Sequence, residues 1–204
     1  MVKVKKGLLI SGGGSIGNLV FYTRNGNTYA RTKPSQYRDK KSQAQLAQRK
    51  KFDVVLRFLK KFKVLLRIGF AGEAIGRSAF QAAQSYHLKH AVKGEYPDIE
   101  FDYSKSKLCS GNVKFPEQVS ISKAEDHILI EWEMPEVKNM NDTLIVAAST
   151  SIRCDYQITG VRRSMMKFKW FTNLSDYTGL HVWVAFRNEK ESDVSDSLYF
   201  YLER

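Results

Sequence analysis

Residues 11–33 read SGGGSIGNLVFYTRNGNTYARTK, and the meaning of their glycines decides the fold. Gly12, Gly14 and Gly17 fall on the G-x-G-x-x-G spacing that cradles dinucleotide phosphates. That fingerprint has a mechanism only where a strand leads in and a helix leads out, because the helix N-terminus supplies the amides that face the pyrophosphate. What leads out here is LVFYTR and NTYARTK on either side of Asn25-Gly26. Asn-Gly accepts the positive φ of a type I′ turn, so the stretch reads as two strands joined by a two-residue loop. A protein kinase also places such a glycine loop between strands, but the chain has no H-R-D or D-F-G segment and is too short. Without a following lysine there is no Walker A loop either. The glycines are therefore read as a tightly turning connection that needs positive φ and close backbone approach.

A two-residue loop sets a register. Arg24 opposes Asn27, Tyr22 opposes Tyr29 and Val20 opposes Arg31, while Phe21 opposes Ala30 on the reverse face. Tyr22, Arg24, Tyr29, Arg31 and Lys33 then share one face; Leu19, Phe21 and Ala30 share the other. With VKVKKGLLIS ahead of it, the segment from Val2 to Lys33 has the pattern of a β-meander.

A helix follows. Ser42 and Gln45 have the S-x-x-Q spacing of a capping box, and the helix is expected to run to about Arg67. At 100° per residue from Phe52, Ala44, Ala47, Val54, Val55, Phe58, Leu59, Phe62, Leu65 and Leu66 gather on one half of the wheel. Arg49, Lys50, Arg57, Lys60, Lys61, Lys63 and Arg67 gather on the other, with Leu46, Leu56 and Val64 intruding. A second helix is expected from about Glu73 to Val92, with Gly94 as its stop. From Lys105 onward HILIEWEM, DTLIVAAST, RRSMMKFKWF, LHVWVAFRN and DSLYFYL read as short strands at sandwich spacing, the last two forming an edge hairpin. The expected class is α+β: an N-terminal meander with two helices over residues 1–97, a boundary at 98–104, and an all-β sandwich of immunoglobulin or fibronectin type over 105–204.

Charge separates the halves. Residues 1–97 hold 20 lysines and arginines against 4 acids, a net +16, while the rest holds 13 against 17, a net −4. A surface that meets a polyanion has this footprint, since solubility alone needs a net charge of only about 2–8. The longest apolar run near the N-terminus is GLLI, far short of a secretory or membrane-spanning segment, so the expected compartment is the cytoplasm. Cys109 and Cys154 have no C-x-x-C spacing and make neither a disulfide framework nor a zinc site.

The stretches GGGSIGNLVFYTRNGNTYARTKP, SQAQLAQRKKF and SAFQAAQSYHLKHAVKGEYPDIEFDYSK resemble an uncharacterised Bacteroidetes family of proteins of about this length, over nearly the whole chain. The family enters the first helix more often through Asn-Pro-x-Thr-x-Ala-Gln; here DKKSQAQ lacks the proline and has Ser42 in place of threonine, which still caps. The resemblance implies an architecture and no chemistry.

Catalytic and metal motifs are incomplete. His87 and His90 lie three apart on the second helix, with Glu95 and Asp98 beyond, but no third ligand or H-E-x-x-H completes a site, and they read as a polar helix face. No G-x-S-x-G is present, and Glu131, Glu133 and Glu136 alternate as a solvated strand face would. No cofactor is expected. The tyrosine pair beside arginines combines stacking faces with phosphate-pairing groups, the combination that single-stranded nucleic acids use. The expected function is non-catalytic binding of a polyanion, nucleic acid foremost, through Tyr22, Arg24, Tyr29, Arg31, Lys33, Arg49, Lys50, Arg57, Lys60, Lys61, Lys63 and Arg67. An acidic protein surface is the other partner of matching charge. The alternative is a structural subunit of a homo-oligomer or larger assembly, phage-like or at the cell surface.

Overall fold

A computed structural model describes residues 2–4, 13–24, 26–36, 39–124, 126–134, 136, 139–174 and 179–203. Ser11, Gly12 and Asn25 of the opening stretch lie outside these residues, as does most of VKVKKGLLIS. The strands β1 (Val2–Val4), β2 (Gly14–Ile16), β3 (Leu19–Arg24) and β4 (Asn27–Thr32) form one antiparallel sheet in the order β1-β4-β3-β2. The expected register holds: Arg24 pairs with Asn27, Tyr22 with Tyr29, Phe21 with Ala30 and Val20 with Arg31. Gly26 has φ of +73°. From Gly14 the glycine stretch is itself a strand, and Gly17, at φ +55°, turns it into β3 through the two-residue loop Gly17-Asn18. No helix follows it, so the dinucleotide geometry is missing.

The chain divides into two compact units, 1–42 and 43–204. In the second, α1 (Gln43–Lys61) begins one residue after Ser42, as the capping pattern predicts. The single helix expected to Arg67 is broken at Phe62, where φ −111° and ψ 21° leave the helical region, and α2 (Lys63–Gly69) continues it. The anticipated second helix is shorter than read: α3 spans Ala79–His90. Its capping box pairs Ser78 with Gln81, Ser78 Oγ accepting from Gln81 N at 3.2 Å and Gln81 Oε1 from Ser78 N at 3.0 Å. The stretch before Ser78, which contains Gly72 and Gly76, is not helical.

Nine strands follow among the described residues. The hairpin β5 (Val92–Lys93) and β6 (Glu100–Phe101) turns through Gly94 and a cis Tyr96-Pro97 bond. The remaining seven are β7 (Val119–Lys123), β8 (Ile128–Trp132), β9 (Thr143–Ser149), β10 (Cys154–Arg162), β11 (Lys167–Trp170), β12 (Leu180–Arg187) and β13 (Leu198–Leu202). They form two antiparallel sheets, β10-β9-β12-β13 and β11-β8-β7. RRSMMKFKWF, read as one strand, is instead the end of β10, a 3-10 turn at Arg163–Met165 and β11, because Met166 adopts φ +57°.

Two cores share the four-stranded sheet. On one face Leu144, Val146, Ala148, Val182, Val184 and Phe186 meet Ile128, Ile130, Trp132 and Trp170 of the three-stranded sheet. On the other, Ile145, Ala147, Trp183 and Ala185 meet Val55, Phe58, Leu59, Phe62, Leu65 and Leu66 of the helices. β9 and β12 are thus buried on both faces, which is why they read as near-continuous apolar runs. The boundary expected at 98–104 is no break in the packing: Ile99 is buried, and Phe101 and Tyr103 pack into the helix-side core. The helices belong with the strands of residues 119–202 because their apolar faces are buried against the four-stranded sheet.

One glycine secures the helix-side core. A Cβ on Gly69 would lie 2.1 Å from the Leu108 carbonyl oxygen, and the Gly69 carbonyl accepts Ser110 N at 2.7 Å.

Candidate polyanion interface

The expected binding residues fall on both units. In residues 1–42 the alternation of β3 and β4 places Tyr22, Arg24, Tyr29 and Arg31 on one face. The two rings stack on each other, with centroids 5.6 Å apart and planes 23° from parallel. Such a pair is worth about 0.5–1.5 kcal/mol beyond the area it buries. Both tyrosines are half-buried, whereas Arg24, Arg31 and Lys33 are exposed. The Lys33 amide donates to Asn18 O at 2.8 Å, which ties the end of β4 to the Gly17-Asn18 turn.

The helical cations do not form a uniform row. Arg49, Arg57, Lys60, Lys63 and Arg67 are exposed, Lys50 half so. Arg57 is ion-paired within its own helix, its Nη2 donating to Asp53 Oδ2 at 2.6 Å. Lys61 departs from the expectation. Its ammonium donates to Ser149 Oγ (3.5 Å), Thr150 O (3.2 Å) and Ser151 O (2.9 Å), so three acceptors match its three hydrogens. Burial pushes its pKa down. Lys61 therefore fastens α1 to the β9-β10 turn and is a structural lysine.

Arg57 and Lys61 also line a cleft of about 470 Å³ with Phe58, Phe101, Tyr103 and Ser151. Phe58 and Phe101 stack at 4.3 Å, and Tyr103 lies flat on His181 at 3.9 Å with planes 9° apart. Phe101 and Tyr103 are not singled out by sequence because PDIEFDYS reads as the boundary between two regions. The signal present was the alternation of Ile99, Phe101 and Tyr103, the period of a half-buried extended segment.

Of the histidine pair, His90 is exposed as expected of a polar face, but His87 is not. His87 is fully buried, and both ring nitrogens are engaged, Nδ1 with Ala83 O at 2.7 Å and Nε2 with Lys107 N at 3.3 Å. Because a backbone amide donates to Nε2, the proton belongs on Nδ1. Desolvation lowers the His87 pKa to about 4, so it is neutral near pH 7. Cys109 is likewise buried, its thiol pushed up to about 12 by desolvation, and both cysteines are free. Among the described residues no cluster of three His, Cys, Asp or Glu side chains could hold a metal, and no helix is long and apolar enough to cross a membrane.

Fold and surface define a two-unit chain of mixed α and β structure, with antiparallel sheets in both units and cationic side chains exposed on each. The chain belongs to the family of unknown function DUF6266, whose model matches residues 10–201. No match is found among the curated proteins or among the solved structures.

Proposed function

We propose that the protein is a non-catalytic, cytoplasmic binder of a polyanion, nucleic acid foremost, acting through the Tyr22, Tyr29, Arg24 and Arg31 face. The observation that carries this reading is the stacked tyrosine pair in register beside two exposed arginines. A flat π surface beside guanidinium groups offers a base a stacking partner and its phosphates a bidentate donor. Lys33, Lys60, Lys63 and Arg67 add exposed charge. Lys61, already saturated, does not belong to the contact set, and Arg57 joins it only by loosening its exposed pair with Asp53.

Salt-dependent binding of fluorescent oligonucleotides tests this. The logarithm of affinity should fall with the logarithm of salt by about 0.7 per phosphate contact on single strands and about 0.9 on duplex. Arg24→Ala with Arg31→Ala should flatten the single-strand slope by about 1.4. Tyr29→Ala should leave the slope unchanged and weaken binding by about 1–3 kcal/mol. Binding that ignores salt, or that none of these substitutions alters, rejects the reading.

For the seven C-terminal strands we favour an immunoglobulin-like or fibronectin-like sandwich. Support comes from connections that cross between the sheets after β8, β10 and β11, as Greek-key sandwiches do. Such modules commonly serve as interaction surfaces, which keeps the structural-subunit reading in play; its specific support is an open strand edge on the sandwich.

A further inference from the structure

We infer that β13 is a self-pairing edge, through which two copies of the chain join their four-stranded sheets into one continuous antiparallel sheet. This goes beyond polyanion binding and does not rest on residues 1–42.

The two sheets built from β7 to β13 have four edge strands, β10 and β13, β7 and β11. Unpaired edges invite further strands, and proteins blunt them with charges, bulges or prolines. β10 carries Asp155, Arg162 and a register shift between Ile158 and Arg162. β7 ends in Lys123, and β11 contains Lys167 and Lys169. β13, Leu-Tyr-Phe-Tyr-Leu, has no charge, proline, glycine or bulge.

Among the described residues no strand pairs with the outer side of β13, although the 3-10 turn Tyr103–Lys105 and β7 lie close to it. The segment running to Val113 covers the chain just before β13, with Ser197 N donating to Cys109 O at 3.0 Å and Val113 N to Val194 O at 3.1 Å. Among the described residues no strand continues that cover, since β13 pairs with β12 alone. Gly179 N donates to Glu203 O, so residue 203 points its backbone at β12. Antiparallel pairing alternates by two, which turns Tyr199 and Tyr201 towards β12 and leaves the N–H and C=O of Leu198, Phe200 and Leu202 facing outward. Leu198 and Tyr201 are 44% and 49% exposed.

The occupant follows from the order of residues. Leu198 to Leu202 reads identically in both directions. An antiparallel copy centred on Phe200 therefore sets Phe200 against itself, Leu198 against Leu202, and Tyr199 against Tyr201. The outward-facing groups are those of Leu198, Phe200 and Leu202, the same residues that this register requires to exchange bonds. The contact is isologous and closes at two copies, because each β13 offers one edge. Aromatic residues opposite one another are also the favoured cross-strand neighbours.

The test is sedimentation velocity of the full chain across a concentration series, beside two variants and a cross-link. The wild-type protein should form a concentration-dependent dimer and nothing larger. Leu198→Lys, which places a charge at an exposed edge position, should weaken dimerisation at least about tenfold, equivalent to 1.4 kcal/mol. Leu198→Pro should do the same, because it deletes an outward N–H that β12 does not use. Both variants should keep the wild-type melting temperature measured at concentrations where all are monomeric. Tyr201→Cys should form an intermolecular cross-link with a short bis-maleimide that Leu198→Lys abolishes. A wild-type monomer at about 100 μM, a dimer indifferent to both Leu198 variants, a missing cross-link, or open-ended oligomers would each overturn the proposal.

Discussion

The sheet of residues 1–42 and the layered unit of residues 43–204 solve the burial problem differently. Of residues 13–24, 26–36 and 39–42 in the first, none is fully buried, whereas the second encloses two cores on either side of one sheet, with Trp170 and Trp183 at 2% and 1% exposure. In the first, order comes from register: two positive-φ turns and cross-strand pairs hold four strands. In the second it comes from volume, with β9 and β12 inaccessible from above and below. The difference teaches where chemistry can be exposed without loss of fold. A sheet held by turns can present tyrosines and arginines, but the helices of the packed unit commit even a lysine, Lys61, to holding a loop.

The largest expected effect lies in the packed unit. Trp183 touches Phe58 and Phe62 on the helix side and donates its Nε1 hydrogen to Ser106 Oγ at 3.1 Å. Trp183→Ala should destabilise residues 43–204 by about 3–5 kcal/mol in chemical denaturation. A loss below about 1 kcal/mol, the scale of a surface change, would mean that the helix layer is not part of the core.

Acid should act on the same core. The unfolded chain takes up a proton at His87 near pH 6.5, whereas the folded chain resists until about 4. The stability associated with neutral His87 is therefore complete above 6.5, declines as pH falls from 6.5 towards 4, and loses nothing more below that. The difference amounts to about 3 kcal/mol. Imidazole NMR signals followed through a pH titration decide it: a His87 resonance titrating near 6.5 in the folded protein contradicts the burial.

Gly69→Ala probes the contact of α2 with the strand-side chain. With the Leu108 oxygen 2.1 Å from the new methyl, backbone must shift, and a destabilisation of about 1–3 kcal/mol is expected by thermal melting. Gly72→Ala, with nothing within 4 Å of its Cβ, is the control and should be far milder.

The smallest effect belongs to the N-terminal sheet. All three tryptophans lie in residues 43–204, so their fluorescence reports that unit. Tyr22→Ala should remove a stacked cross-strand pair worth about 0.5–1.5 kcal/mol and leave the tryptophan-detected midpoint nearly unchanged. A large shift would show that the two units share their stability and would break the comparison.

Much of this was legible from the chain alone, wherever a local rule decides the outcome. Asn25-Gly26 specifies a two-residue loop, so the pairing from Arg24 with Asn27 back to Val20 with Arg31 follows without any tertiary contact. The apolar stripe of α1 likewise predicts Val54, Val55, Phe58 and Leu59 as the buried face. Membership of a family of unknown function was also readable, since the resemblance spans the same residues that the family model matches. What the sequence could not decide depends on groups far apart in it. The break at Phe62, the pairing of His87 with the Lys107 amide, and the capture of Lys61 by residues 149–151 all need a second segment to arrive before the first residue's role is set. The same holds for the partition at Ser42. The helices' apolar faces are buried against the sheet of β9 and β12, which is apolar on both faces, and that partner is far away in the sequence.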